Sequence, residues 1–173
     1  MDLVKAARKG EEAAFLQLFE EHHLPLFRFA YRLTGSVADA EDIVQECFLS
    51  LLRPGCTYDP KRTPIRTYLF GIVRNQSLKR LRRSIGVDGT PPRSPESEFL
   101  RDEMQDAVSR AVMELPEIQR EVLVLAHYEQ MPLAEIAQVL GVELGAAKSR
   151  LQRARASLKE TLAAYAPGME RKR

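Results

Sequence analysis

The sequence predicts an all-α protein made of two small helical domains joined by a flexible linker. Apolar residues recur at spacings of three and four along most of the chain, and no segment alternates as a β-strand does. The stretch SIGVDGTPPRSPES is rich in Gly, Pro and Ser, which is typical of a linker. We therefore predict domains over residues 1–84 and 96–173 and a linker over residues 85–95, with a helix-turn-helix in the second domain.

The first domain contains strong signals for helix ends. Pro25 predicts a break or a kink within an apolar periodic segment that ends at Gly35. Ser36 and Asp39 have the spacing of a capping box, which would satisfy free backbone donors at the start of the next helix. The predicted helices cover residues 11–33 (one helix or two), 36–52 and 65–83.

The second domain has the pattern of a helix-turn-helix. Gly141 follows a short amphipathic helix and suits a turn position with a positive φ. The helices of this domain are predicted over residues 95–114, 117–128, 133–140 and 144–164. In the last of them, an apolar stripe predicts the core side of the helix: Leu144, Ala147, Leu151, Ala154, Leu158 and Leu162.

The net charge of +2 hides a strong segregation of charge along the chain. Residues 61–83 hold eight basic side chains and no acid, and residues 144–173 hold eight basic side chains against two acids. The stretch between them, residues 88–143, has twelve acids against four arginines. Two separate basic segments indicate two contacts with one polyanion, although two solvated helices would give the same pattern.

Polar side chains on the last predicted helix favour DNA as that polyanion. Lys148, Gln152, Arg155 and Lys159 share one face, and Ser149 and Arg153 lie beside them. The N-terminal part of a recognition helix enters the major groove, where Lys, Gln and Arg address base edges. Basic residues farther along such a helix contact phosphates.

The composition limits the location and the chemistry of the protein. We expect a cytoplasmic protein with no membrane insertion, since the sequence has neither an apolar signal core nor a long apolar run. Cys47 and Cys56 are too few for a disulfide framework. An enzyme is not expected, because we find no nucleophile motif, phosphate loop or paired metal motif, and no metal or other cofactor is predicted.

Three segments in order resemble the extracytoplasmic-function class of bacterial RNA polymerase sigma factors. They are DAEDIVQECFLSLL (39–52), YDPKRTPIRTYLFGIVRNQSLKRLRR (58–83) and residues 115–162, which include the helix-turn-helix. The resemblance implies a sigma factor whose first domain opens and holds the promoter −10 element and whose second domain reads the −35 element. It also implies core RNA polymerase, promoter DNA and an anti-sigma factor as partners.

The resemblance assigns roles to individual residues. Asp39, Asp42, Gln45 and Glu46 would bind the clamp coiled coil of the largest catalytic polymerase subunit. The −10 element would be held by Lys61, Arg62, Tyr68, Asn75, Lys79 and Arg82, after a loop (57–64) that accepts a flipped base. The −35 element would be read by Lys148, Ser149, Gln152, Arg153 and Arg155.

Two alternatives come from other functional classes. A stand-alone helix-turn-helix regulator would bind duplex DNA without the polymerase and would not need Asp42, Gln45 or Glu46. A pure interaction protein would show neither DNA dependence nor a steep response to salt.

Overall fold

A computed structural model describes residues 2–85 and 107–165, and every regular element within these ranges is an α-helix. The predicted all-α class is therefore confirmed. The chain divides into two compact units, Met1–Arg93 and Ser94–Arg173. Apart from residue 85, the predicted linker lies outside the described residues, as does the first part of the helix predicted over 95–114.

The described part of the first unit contains α1 (Leu3–Arg8), α2 (Glu12–Thr34), α3 (Val37–Leu52) and α4 (Ile65–Ile85). The long α2 packs against the other three helices, and α3 also packs against α4. The core of the unit lies between α2, α3 and α4 and includes Leu18, Leu26, Phe29, Leu33, Ile43, Leu51, Leu69 and Phe70. The ring centres of Phe29 and Phe70 lie 5.1 Å apart, and Phe70 is a core residue of α4.

The residues between α2 and α3 show how the sequence sets the helix ends. Gly35 adopts a left-handed conformation (φ 70°) and ends α2, a role that glycine fills without steric cost. The Ser36 hydroxyl accepts a hydrogen bond from the backbone N–H of Asp39 and caps α3. Only this half of the predicted capping box forms, because the Ser36 N–H donates to Thr34 Oγ1 (3.3 Å) and the Asp39 carboxylate accepts from Arg80 in α4.

Two features of the first unit were not fixed by the sequence patterns. Pro25 lies inside α2 without dividing it, so the two-helix alternative is wrong. A proline inside a helix costs about 3 kcal/mol, which the packing of α2 on three neighbours offsets. The short α1 was not predicted; it is capped by Asp2, and the Arg8 Nε donates to the Leu51 carbonyl at the end of α3 (2.9 Å).

The described part of the second unit contains α5 (Ala107–Glu114), α6 (Glu117–His127), α7 (Leu133–Leu140) and α8 (Leu144–Tyr165). The last helix packs against the other three. The turn between α7 and α8 has the predicted glycine geometry, because Gly141 is left-handed (φ 65°) and the Val142 N–H reaches back to the Ala137 carbonyl (3.0 Å). These two helices form the helix-turn-helix.

The apolar stripe of α8 is shorter than predicted. Ala147, Leu151 and Ala154 are buried, and Leu158 and Leu162 are half-buried. Leu144 is 53% exposed, so its prediction as a core residue is wrong. The buried stripe of α8 therefore begins at Ala147.

Candidate nucleic-acid and partner interfaces

The outward face of α3 carries the four residues to which the family resemblance assigns polymerase binding. The opposite face of the helix is buried and holds Ala40, Ile43, Val44, Cys47, Phe48 and Leu51. Asp42 and Gln45 are exposed, while Asp39 and Glu46 are half-buried. Spacings of three and four place these side chains along one outward side, where a single partner surface can contact them.

Basic side chains within the same unit already contact three of these four residues. Arg80 of α4 donates to Asp39 (Nη1 to Oδ1, 2.6 Å), and its Nη2 lies 3.6 Å from Asp42 Oδ2. Arg53 Nη1 lies 2.9 Å from Glu46 Oε1. Ion pairs this open to solvent contribute little net free energy, so a cationic partner can replace them at small cost.

The basic helix α4 has a buried side and a cationic side. Its buried side holds Leu69, Phe70, Val73 and Ser77. Asn75, Lys79 and Arg82 are exposed on the opposite side, and Tyr68 is half-buried there. At about 100° per residue, these four positions span an arc of about 60°. One surface of α4 thus presents an aromatic ring, an amide and two cations.

Tyr68 sits in a small cluster at the start of α4. Its ring centre lies 5.1 Å from that of Tyr58, and its hydroxyl lies 3.4 Å from the Cys56 sulfur. Burial, followed by the contact with Cys56, raises the pKa of the Tyr68 phenol, with a smaller opposing effect from Thr57. The phenol is therefore neutral at physiological pH, and the ring is held by contacts from the preceding loop.

That loop is organised by Asp59, a residue that the sequence patterns did not indicate. The Asp59 carboxylate accepts from the Lys61 N–H (3.0 Å), and its backbone carbonyl accepts from the N–H groups of Arg62 and Thr63. The side chains of Lys61 and Arg62 are exposed. The bond to the Lys61 N–H, two residues on, is an Asx-turn, and the Asp-Pro dipeptide at positions 59–60 is the signal that could have revealed it.

The exposed side of α8 presents Lys148, Gln152, Arg153 and Arg155, with Ser149 half-buried. Arg155 Nε donates to His127 Nε2 (3.4 Å), which joins the end of α6 to α8. On another side of α8, Arg150 lies 3.8 Å from the Glu121 carboxylate, whose side chain is only 1% exposed. The sequence patterns did not predict this buried carboxyl group, because Glu121 occupies an ordinary polar position in an amphipathic helix.

Three further observations concern the described residues outside these surfaces. Burial raises the pKa of the Cys47 thiol to about 12, so this thiol is an inert core group. Over the described residues, the side chains of His, Cys, Asp and Glu form no group of three that could hold a metal ion. In the same part of the chain, no helix has the length and apolar character needed to cross a bilayer.

Comparison with known proteins identifies both units. The sequence profile of Sigma-70 region 2 matches residues 18–84, and that of Sigma-70 region 4 matches residues 105–158. The chain is 33% identical to the ECF RNA polymerase sigma factor SigL of Mycobacterium tuberculosis, over 94% of this chain and 96% of that protein. It is 27% identical to the ECF sigma factor SigW of Bacillus subtilis, over 92% and 94% of the two chains.

Two solved structures agree with the sequence relatives. CnrH, in complex with the cytosolic domain of CnrY, is similar with a TM-score of 0.73 and 31% identity, covering 94% of this chain and 96% of CnrH. The sigma factor RpoE of Bartonella quintana, in complex with the anti-sigma factor NepR, is similar with a TM-score of 0.69 and 26% identity. The match covers 86% of this chain and 96% of that chain. The chain belongs to the extracytoplasmic-function group of sigma-70 RNA polymerase sigma factors.

Proposed function

We propose that the acidic face of α3 binds core RNA polymerase, while α4 holds the −10 element and α8 reads the −35 element. The observation that carries this proposal is the arrangement of the first unit. There α3 and α4 pack on each other, and each turns a polar face of opposite charge away from the core. One scaffold thus offers an acidic surface to a protein and a basic surface to DNA.

The α3 surface suits a helical, basic partner. Asp42, Gln45 and Glu46 lie within about one turn of helix, and the first two are exposed. Their neighbour Asp39 is half-buried and forms an ion pair with Arg80. We assign polymerase binding mainly to the first three residues and a supporting role to Asp39. The partner is the clamp coiled coil of the largest catalytic subunit.

The α4 surface suits a single strand. Aromatic stacking contributes about 1–3 kcal/mol per base, and cations along the same groove neutralise the phosphates. Tyr68 supplies the ring, Lys79 and Arg82 supply the charges, and Asn75 supplies an amide for hydrogen bonding. Lys61 and Arg62 in the preceding loop extend the positive surface toward a flipped base, whose extrusion costs a few kcal/mol.

The α8 surface suits the major groove of a duplex. Lys148, Ser149 and Gln152 lie in the first half of α8, the part that approaches base edges in helix-turn-helix proteins. Arg153 and Arg155 follow and are placed to meet phosphates, which fix the orientation of the protein on the duplex.

We also propose an anti-sigma factor as the inhibitor. Two of the similar solved structures are complexes, CnrH with the cytosolic domain of CnrY and RpoE with the anti-sigma factor NepR. A partner of this kind should compete with core polymerase for the chain. We place the protein in the bacterial cytoplasm, where polymerase and promoter DNA are found.

The test is reconstitution of transcription. The purified chain is combined with bacterial core polymerase and a library of promoter fragments, and the transcripts are sequenced. We expect initiation at fragments that share two elements, and no specific initiation by core polymerase alone. Binding of duplex DNA by the free chain, without any polymerase-dependent transcript, would contradict the proposal and favour a stand-alone regulator.

A further inference from the structure

The first residue of the recognition helix is an exposed leucine. Leu144 is 53% exposed, although Ala147, Leu151 and Ala154 farther along α8 are buried. We infer that Leu144 is a specificity-determining residue that contacts the C5-methyl group of a thymine in the −35 element. This inference rests on the proposed function, in which α8 enters the major groove.

The position of Leu144 on the helix supports a contact with bases. At about 100° per residue, Leu144 lies about 40° around the helix axis from Lys148 and about 20° from Arg155. Both of those cations are exposed. The leucine also lies about 20° from the buried Leu151, so it occupies the edge of the apolar stripe that borders these cations. It precedes both cations at the N-terminal end of α8, which is the end that reaches base edges.

The chemistry of the side chain selects the ligand. An isobutyl group offers no hydrogen bond, so it cannot distinguish the donors and acceptors of guanine, cytosine or adenine. The thymine methyl is the apolar feature of the major groove, and apolar side chains recognise it by contact. An exposed leucine at this place therefore favours thymine.

Gly145 and Ala146 leave open space beside Leu144, which permits a close approach from outside the chain. A Cβ atom added to Gly145 would find open space in the described part of the chain, with no neighbouring atom within 4 Å. Its backbone does not have a positive φ. Glycine in a helix is less favourable than alanine by up to about 1 kcal/mol, so the fold gives no reason for it here. Ala146 beside it is also exposed. Small residues next to Leu144 leave room for a surface that comes from outside the chain.

The experiment uses the holoenzyme formed by the full chain and core polymerase. A preferred promoter is selected from a pool randomised in the −35 region, and each thymine of that region is replaced in turn by deoxyuridine, which lacks only the methyl group. We expect one replacement to weaken binding about fourfold, the effect of one buried methyl group. Leu144→Ala should bind the thymine and uracil forms equally at that position.

Ile118→Ala is the matched control, because Ile118 is also 53% exposed but lies in α6. It should keep the sensitivity to uracil. Gly145→Ala is a second variant, expected to raise the thermal stability slightly and to weaken duplex binding several-fold. If this variant binds duplex DNA with unchanged affinity, DNA does not approach closely at Gly145.

The outcomes separate the inference from the proposed function. A holoenzyme that selects a −35 sequence but tolerates uracil at every position overturns the role of Leu144 alone. The same holds if Leu144→Ala retains the preference for thymine. Failure to form a holoenzyme, or to select any −35 sequence, overturns the proposed function and this inference together.

Discussion

Arg80 of α4 donates a hydrogen bond to Asp39 of α3, with 2.6 Å between Nη1 and Oδ1. The same guanidinium lies 3.6 Å from Asp42. One arginine of the basic helix therefore contacts two residues of the surface assigned to polymerase binding. Asp39 does not complete the capping box at the start of α3, because it accepts from Arg80 while the Ser36 N–H donates to Thr34 Oγ1.

Replacement of Arg80 by Ala should loosen the contact between α3 and α4. Because the Arg80 and Asp39 side chains are 37% and 30% exposed, we expect a loss of only about 0.5–1 kcal/mol. Hydrogen–deuterium exchange with peptide resolution measures this, since it reports the first unit separately from the second. Faster exchange should appear in residues 37–52 and 65–85.

A double-mutant cycle isolates the pair. Arg80→Ala and Asp39→Ala should be non-additive, since either change removes the same interaction. Lys79→Ala is the control, because Lys79 is exposed and adjacent but outside this pair. Fully additive effects of the two changes would show that the hydrogen bond contributes nothing to stability.

Burial of Cys47 should make the first unit less stable at alkaline pH. Its pKa rises from 9.0 to about 12, so the folded state disfavours the thiolate. The stability gained from the neutral thiol is fully present below about pH 9 and is lost as the pH rises toward about 12. In this window the free energy of unfolding should fall with pH by a slope that approaches about 1.4 kcal/mol per pH unit, the value for one proton.

The comparison protein for that prediction is Cys47→Ala. It should be less stable at neutral pH because of the cavity it leaves. Its unfolding free energy should fall less steeply at alkaline pH, because it has no thiol to ionise. Urea unfolding followed by circular dichroism between pH 8 and pH 11 measures both proteins. Identical slopes in the two proteins would contradict the assignment.

Tyr68 should act in −10 binding through its ring. Tyr68→Ala should weaken the binding of holoenzyme to a non-template −10 single strand about tenfold, since it removes a stacking surface. Tyr68→Phe keeps the ring against Tyr58 and loses only the hydroxyl next to Cys56, so it should bind within about twofold of the native protein. Fluorescence anisotropy of a labelled strand gives both values. Equal binding by the alanine variant would remove Tyr68 from the site.

The sequence predicted those parts of the fold that depend on local signals. Gly35 and Ser36 mark the boundary of α2 and α3, and Gly141 marks the turn before α8, because helix ends require particular backbone angles and side-chain acceptors. The exposed cations of α8 follow from helical periodicity in the same way.

The parts that escaped prediction depend on packing between helices. Asp39 and Arg80 are 41 positions apart, and their contact depends on how α3 and α4 are rotated against each other. Helix α1 has only six residues and is held by a bond from Arg8 to the end of α3. Leu144 fits the apolar periodicity of α8, yet periodicity alone does not show where the covering helices end.

The central claim is that the acidic face of α3 binds core polymerase. The most direct measurement is the affinity of the chain for bacterial core RNA polymerase, beside a variant with Asp42, Gln45 and Glu46 replaced by Ala. The matched control replaces Glu12, Gln17 and Glu20 of α2 by Ala; these three residues are exposed, and their replacement gives the same change of charge. We predict that the α3 variant loses at least about 2 kcal/mol of binding free energy, as hot-spot residues do, while the control binds as the native chain does. Equal binding by all three proteins, each with native helicity, would contradict the claim.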